Sequence, residues 1–133
     1  PAAPQDMLCS SASLGTGLSC GVDIELVENL ATVADYWSDP FYQAHFAKAE
    51  IAYCIVQEHP RMHFAARWAA KEALRKSDAS LMRVPMDMIE ILSDAQGKPF
   101  VCLLVDGERK RLSHAVSLTH TAQLAAAIAV CIK

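Results

Sequence analysis

Ala65-Ala66-Arg67-Trp68-Ala69-Ala70-Lys71-Glu72-Ala73-Leu74-Arg75-Lys76 is the stretch that decides how this chain folds. It is rich in strong helix formers and holds no glycine or proline, so it reads as a helix running over about residues 61–77. Ala66, Ala69, Ala70 and Ala73 recur at helical spacing and make a narrow face that lets another element approach closely. Glu72 and Lys76, four apart, share a second face with Trp68 one turn below, and Arg67 and Lys71 form another such pair. A carboxylate ringed by four cations (Arg67, Lys71, Arg75, Lys76) suits a polyphosphate held through a metal. Taken alone, the stretch reads first as a solvated amphipathic helix with i,i+4 pairs.

Outward from the helix, residues 18–27 alternate weakly in aliphatic character and read as a strand. Asp23 and Glu25 then project to one side of it. Two acids on an apolar strand suit a metal site and a solvated edge equally well. Residues 27–37 read as helical or irregular. Ser38-Asp39-Pro40 has the form of a helix start, opening a short aromatic helix over 41–46. A second helix covers 48–57 and ends at His59-Pro60, since the residue before proline avoids helical geometry. Beyond the central helix, residues 86–92 alternate as a strand, 94–99 turn with Gly97 free to take positive φ, and 100–105 return. Residues 106–111 read as a charged loop or short helix. Residues 115–119 and 124–132 form a second strand pair around His120-Thr121-Ala122-Gln123. Helices first and hairpins later predict an α+β domain, a mainly antiparallel sheet packed against helices.

The 133 residues suffice for one domain with a real core, and 53% apolar with 20% charged is a globular composition. A net charge of −3 argues against nucleic acid as the main partner. Cations nevertheless cluster over residues 61–83 and 109–111, which leaves room for a local anion site. Five cysteines with no CxxC spacing signal neither a zinc site nor a disulfide framework, and a reducing cytoplasm is the simplest home. The longest apolar run, residues 124–132, is too short to span a bilayer, so no membrane role is expected. No basic segment followed by an apolar core opens the chain, and no signal peptide is expected. Residues 1–17 are rich in Ala, Pro, Ser and Gly and read as a linker ahead of a domain over 18–133.

Four separated pieces carry polar residues that an apolar domain does not need: Gly21-Val22-Asp23-Ile24-Glu25, the helix from Arg67 to Lys76, the turn 94–99, and Val116-Ser117-Leu118-Thr119-His120-Thr121. In this order and spacing they resemble the phosphopantetheinyl transferases of the holo-acyl-carrier-protein-synthase type, over about the last 115 residues. The stretch Phe41-Tyr42-Gln43-Ala44-His45-Phe46-Ala47-Lys48-Ala49-Glu50 and the opening Gly-Val-Asp-Ile-Glu-Leu-Val resemble transferase domains fused to type I fatty-acid or polyketide synthases. The linker-like start fits an excised domain of such a megasynthase.

The resemblance implies the phosphopantetheinyl transferase fold and a Mg²⁺-dependent transfer of phosphopantetheine from coenzyme A to a serine of an acyl carrier protein, free or in the same polypeptide. It implies Asp23, Glu25 and Glu72 as metal ligands, with Glu72, Lys76 and His120 catalytic: Glu72 as base, Lys76 beside the leaving phosphates. Arg67, Lys71, Lys98, Pro99, Ser117 and His120 are the implied contacts to coenzyme A, with a solvated hairpin lysine the rival reading of Lys98 and a place in the sheet that of Ser117. His45, His59, His63 and His114 take a structural reading, and Phe64 and Trp68 a core one. The chain is about half the length of two-lobed transferases, so a site built between subunits is expected, in a homotrimer. Two departures stand out. The family's glycine-rich turn after the helix lysine is here Ser77-Asp78-Ala79-Ser80-Leu81, which weakens the case for backbone phosphate contacts there. The region matching the docking helix carries only Lys48, so electrostatic capture of an acidic carrier is expected to be weak. The rival functions are an inactive interaction domain of a synthase and a Mg²⁺-dependent nucleotide phosphohydrolase; only the latter releases product without a carrier protein.

Overall fold

The decisive stretch lies in an 18-residue helix, Pro60–Ser77, around which the rest of the domain is laid down. The computed structural model describes residues 17–132, so the linker expected over 1–17 lies outside the described residues apart from Gly17. In chain order the elements are β1 (Leu18–Leu26), α1 (Pro40–His45), α2 (Lys48–Ile55), α3 (Pro60–Ser77), β2 (Ile89–Ser93), β3 (Pro99–Val105), β4 (Glu108–Arg111), β5 (Ala115–His120) and β6 (Leu124–Ile132). Short 3₁₀ turns occupy Val27–Asn29, Ala79–Arg83 and Met86–Met88. All strand pairings are antiparallel, in two three-stranded sheets ordered β1-β6-β5 and β2-β3-β4. The expected α+β class with antiparallel sheet holds, divided into two sheets.

Local chemistry explains most boundaries. Pro40 sits in the first turn of α1 and the Asp39 carboxylate accepts the Tyr42 N–H at 3.2 Å, the cap the sequence announces. Gly97 turns with φ 82°, as expected. Two readings need correction. The strand expected over 86–92 starts only at Ile89, because Met86–Met88 closes a 3₁₀ turn first. Residues 106–111 are neither loop nor helix: Asp106 (φ 52°) and Gly107 (φ 81°) make the tight turn of a hairpin, and β4 pairs back onto β3 with Val105 opposite Glu108. Consecutive positive φ values are what a two-residue hairpin turn demands, and Asp-Gly supplies them. Every residue of β4 is exposed, and its charges suit an edge strand in water.

The alanine face of α3 seats on the β1-β6-β5 sheet. Ala66, Ala69, Ala70 and Ala73 are all buried, and they meet Ala125, Ala127 and Ala129 of β6. Contact with β1 is closest at Gly21, where a β-carbon would lie 2.2 Å from the Ala73 carbonyl oxygen and 2.7 Å from the Lys76 Cβ. Glycine is the residue that permits that approach. An aromatic cluster of Tyr36, Tyr42, Phe46 and Phe64 fills the space between α1 and the first half of α3.

Lys71 and Glu50 are fully buried side by side. The Lys71 ammonium donates to the Glu50 carboxylate at 2.5 Å and to the carbonyls of His45 and Met86 at 2.8 and 2.9 Å. Glu50 also accepts the backbone N–H of Ala47 at the start of α2 and that of Ile91 in β2. Burial pushes the Glu50 carboxyl up and the Lys71 ammonium down, each opposed by its partner. All three ammonium donors are thereby used inside the core, so Lys71 has none left for a phosphate and the expectation of a coenzyme A contact from it is not met. Lys71→Met is expected to lose about 3–5 kcal/mol of stability in chemical denaturation, because Glu50 is left buried without its counter-charge. A variant of unchanged stability that had lost only nucleotide affinity would return Lys71 to the binding surface.

Candidate active site

Strand alternation puts Asp23 and Glu25 on one side of β1, and Lys76 of α3 meets the first of them. Asp23 and Glu25 project from β1 on the side of Gly21, toward α3. From α3, Lys76 reaches down to donate to Asp23 Oδ1 at 3.1 Å and to the Val22 carbonyl at 3.0 Å. The Asp23 side chain is only 12% exposed. Its second oxygen, Oδ2, is buried with no hydrogen-bond partner among the described residues. Glu25 lies against Asp23, and the Glu72 charge acts on it from α3. Burial, then the neighbouring Asp23 carboxylate, then the Glu72 charge push the Glu25 carboxyl up to about 7, with Lys76 opposing. Two like charges so placed favour a proton on one of them or a cation nearby. The orphaned Asp23 oxygen suits a hard, oxygen-liganded divalent ion, but among the described residues the ligand atoms of Asp23, Glu25 and Glu72 are not drawn within 4.8 Å of one another.

A second group of the expected residues gathers elsewhere. Arg67, Pro99, Ser117 and His120 line one cleft of about 210 Å³, together with Tyr53 and His63. The Arg67 guanidinium stacks over the Tyr53 ring at 4.2 Å, and its buried Nε has no partner among the described residues. His120 meets His63 edge-on at 4.9 Å. Burial, with His120 and Arg67 nearby, holds the His63 imidazole below its ordinary range. The cleft continues into a larger one of about 570 Å³ that shares Tyr53 and Arg67 and adds Asp94, Phe100 and Arg109. Lys98 is exposed and outside both linings; its backbone N–H donates to Asp94 Oδ1 at 2.9 Å, which explains the turn without a ligand.

The two groups lie on opposite sides of α3. Arg67 and Glu72 are five residues apart and so turned by roughly 140° about the helix axis, and His63 is turned further still. In the sheet, Glu25 pairs with Ala125, which pairs with His120, so β6 separates the acids from the histidine by about 10 Å. A reading of the sequence overlooked His63 and Tyr53 as lining residues. The signal was present for His63, four residues before Arg67 and so on the same helical face. For Tyr53 there was none, because nothing local marks α2 as a wall of the cleft.

The raised Glu25 carboxyl has a consequence for stability. The folded form holds that proton more tightly than the unfolded chain, so its contribution is complete below about pH 4.5 and lost as pH rises through about 7. In metal-free buffer, the unfolding midpoint of the native chain is expected to fall relative to Glu25→Gln across that window and to run parallel above it. A difference that stays constant from pH 4 to pH 8 would refute the carboxylate pairing.

Comparison with known proteins gives the family and the fold. Residues 19–131 match the family model described as the 4′-phosphopantetheinyl transferase superfamily. The holo-(acyl-carrier-protein) synthase of Syntrophus aciditrophicus is 32% identical over 117 residues, covering 83% of this chain and 91% of that protein. That of Chlorobium limicola is 33% identical over 116 residues, covering 85% and 92%. The fatty acid synthase subunit alpha of Schizosaccharomyces pombe is 36% identical over 86 residues, 62% of this chain but 4% of that protein. Among solved structures, the Chronobacterium ammoniagenes ACPS-CoA complex superposes with TM-score 0.65 at 24% identity, covering 86% of this chain and 96% of that one. The Helicobacter pylori synthase in complex with coenzyme A gives 0.65 at 19%, covering 86% and 99%. Both show the shared fold. The chain belongs to the 4′-phosphopantetheinyl transferase superfamily and is an enzyme of the holo-(acyl-carrier-protein) synthase type.

Proposed function

We propose that this chain transfers the phosphopantetheine group of coenzyme A to a serine hydroxyl of an acyl carrier protein. The observation that carries the reading is the Lys76–Asp23 contact, with one Asp23 oxygen buried and unpartnered among the described residues and the charges of Glu25 and Glu72 acting in the same neighbourhood. The serine oxygen forms a bond to the phosphorus of the transferred group, the pyrophosphate bridge breaks, and adenosine bisphosphate leaves. A Mg²⁺ held by Asp23, Glu72 and Glu25 neutralises charge on the pyrophosphate when bound. Glu72 takes the serine proton, and Lys76, anchored by Asp23 and the Val22 carbonyl, meets the charge on the leaving group. Arg67 and His120, in the second cleft with Ser117 and Pro99, bind the phosphates of coenzyme A. Coenzyme A is bound in structures that share this fold, which supports the same ligand here.

The opposed positions of the two groups about α3 favour a site shared between copies of the chain. A second observation points the same way. On the outer face of the β1-β6-β5 sheet, Leu18, Val22, Ile24, Ile128 and Ile132 are 45–76% exposed, an apolar surface that a neighbouring copy would cover. A homotrimer would place the acids of one copy beside the arginine and histidine of the next. Whether the carrier is separate or fused is a finer matter. The relatives covered over nine-tenths of their length favour a free carrier, and the match within the S. pombe subunit favours a tethered one, for which a linker supplies effective concentration.

Intact-mass measurement of an apo carrier protein incubated with coenzyme A, Mg²⁺ and this chain tests the reaction. One phosphopantetheine per carrier is expected, with Glu72→Ala and Lys76→Ala each at least ~10²-fold slower. Adenosine bisphosphate released at full rate without carrier would identify a phosphohydrolase instead, and near-normal turnover by Glu72→Ala would refute both its roles. Assembly is tested by light scattering at micromolar concentration: a trimer is expected, with Ile24→Lys shifting it to monomer and abolishing transfer while the circular dichroism stays native. A fully active monomer would place every contact within one chain.

A further inference from the structure

Three side chains that the transferase reaction does not use converge at the other end of the sheet. Asp78 caps the C-terminus of α3, His114 immediately precedes β5, and Cys131 is near the end of β6. The β5–β6 register pairs Ala115 with Val130, which brings His114 level with Cys131. One donor atom from each of the three lies within 4.8 Å of the other two. His114 Nε2 is 2.8 Å from Asp78 Oδ2, and Cys131 Sγ is 3.9 Å from the same oxygen. The other carboxylate oxygen is fixed separately, accepting the Ser80 N–H at 3.0 Å and the Ser80 hydroxyl at 2.7 Å. One oxygen is therefore locked in the turn while its twin faces the ring and the thiol. The cluster is nearly dry: Cys131 is 8% exposed, and the His114 and Asp78 side chains 10% and 17%. His114 Nδ1 is buried with no partner among the described residues, so local hydrogen bonding leaves the ring incompletely satisfied.

We propose that Asp78, His114 and Cys131 form a binding site for a borderline divalent transition metal, Zn²⁺ above all, separate from the carboxylate site. Thiolate, imidazole and carboxylate together suit zinc and select against Mg²⁺, which prefers oxygen donors and retained water. Three protein ligands leave the fourth tetrahedral position to a water molecule. On binding, the Cys131 thiol releases its proton to solvent and the hydrogen bond between His114 Nε2 and Asp78 is replaced by bonds from both to the metal. The ring keeps its one proton by carrying it on Nδ1, where no described group competes. The Ser80 hydrogen bonds, with His114 assisting, hold the Asp78 carboxyl below its ordinary range, so the ligand oxygen is already charged. The ion would join the C-terminus of α3 to β5 and β6 through Asp78.

The test uses the full chain, stripped of metal with chelator and titrated with Co²⁺ in the presence of excess Mg²⁺. A thiolate-to-cobalt charge-transfer band saturating at one equivalent is expected, with one proton released per ion near neutral pH and loss of the band on adding Zn²⁺. The band is expected to persist in Glu72→Gln, to vanish in Cys131→Ser, and to need at least tenfold more Co²⁺ in His114→Gln. Zn²⁺ is also expected to raise the unfolding midpoint of the native chain. Alkylation mapped by mass spectrometry needs no variant: Zn²⁺ should protect Cys131 selectively over the exposed Cys20. No band at stoichiometric Co²⁺, a band that survives Cys131→Ser, or alkylation of Cys131 unaffected by Zn²⁺ would each overturn the proposal.

Discussion

The approach of β1 to α3 at Gly21 is the constraint on which the rest of the site depends. Asp23 and Glu25 belong to the strand, Glu72 and Lys76 to the helix, and their mutual distances follow from how closely the two backbones lie. At Gly21 a single β-carbon would fall 2.2 Å from the Ala73 carbonyl oxygen. The alanines of α3 and β6 extend the same close contact across the sheet. Small side chains here are not a weakly packed core but a short spacer. They let a lysine on the helix reach a strand carbonyl and carboxylate at 3.0 and 3.1 Å.

The same helix divides the chemistry. Its carboxylate and Lys76 face one side, Arg67 and His63 the other, and its alanines the sheet. The paired clusters are thereby fixed to one rigid element yet kept apart within one chain. An arrangement of this kind holds charges of opposite sign in place without letting them collapse onto one another. Each half keeps an unpartnered buried atom among the described residues, Asp23 Oδ2 on one side and Arg67 Nε on the other. Native proteins seldom leave such atoms unmatched away from a functional surface.

Much of this was legible in the sequence, for physical reasons that also mark its limits. Period-two alternation put Asp23 and Glu25 on one side of a strand, and period-four spacing put Glu72 with Lys76. Those rules concern neighbours along the chain and served well there. Arg67 and Lys71 looked equivalent by the same rules, and both are largely buried, yet Arg67 lines a cleft while Lys71 is sealed in the core. What separates them is Glu50, twenty-one residues upstream of Lys71, and no local pattern announces that contact. The β4 strand was missed differently: Glu108–Arg111 is wholly charged, and the Asp-Gly turn before it carried the information its composition concealed. His114 and Cys131 meet only through strand register, and Asp78 joins them from the end of α3.

The buried pair of Lys71 and Glu50 bears on how the chain reaches this fold. Neither charge can leave water until its partner and the surrounding amide and carbonyl groups are in position. Those groups come from the start of α2, the end of α1, the turn before β2, and β2 itself. A partly folded chain with α3 seated on one sheet alone would hold a desolvated ammonium with no counter-charge. Such a species lies uphill of one in which the partners are in place. The pair thus ties the second sheet and the two short helices to α3 in energy as well as in space.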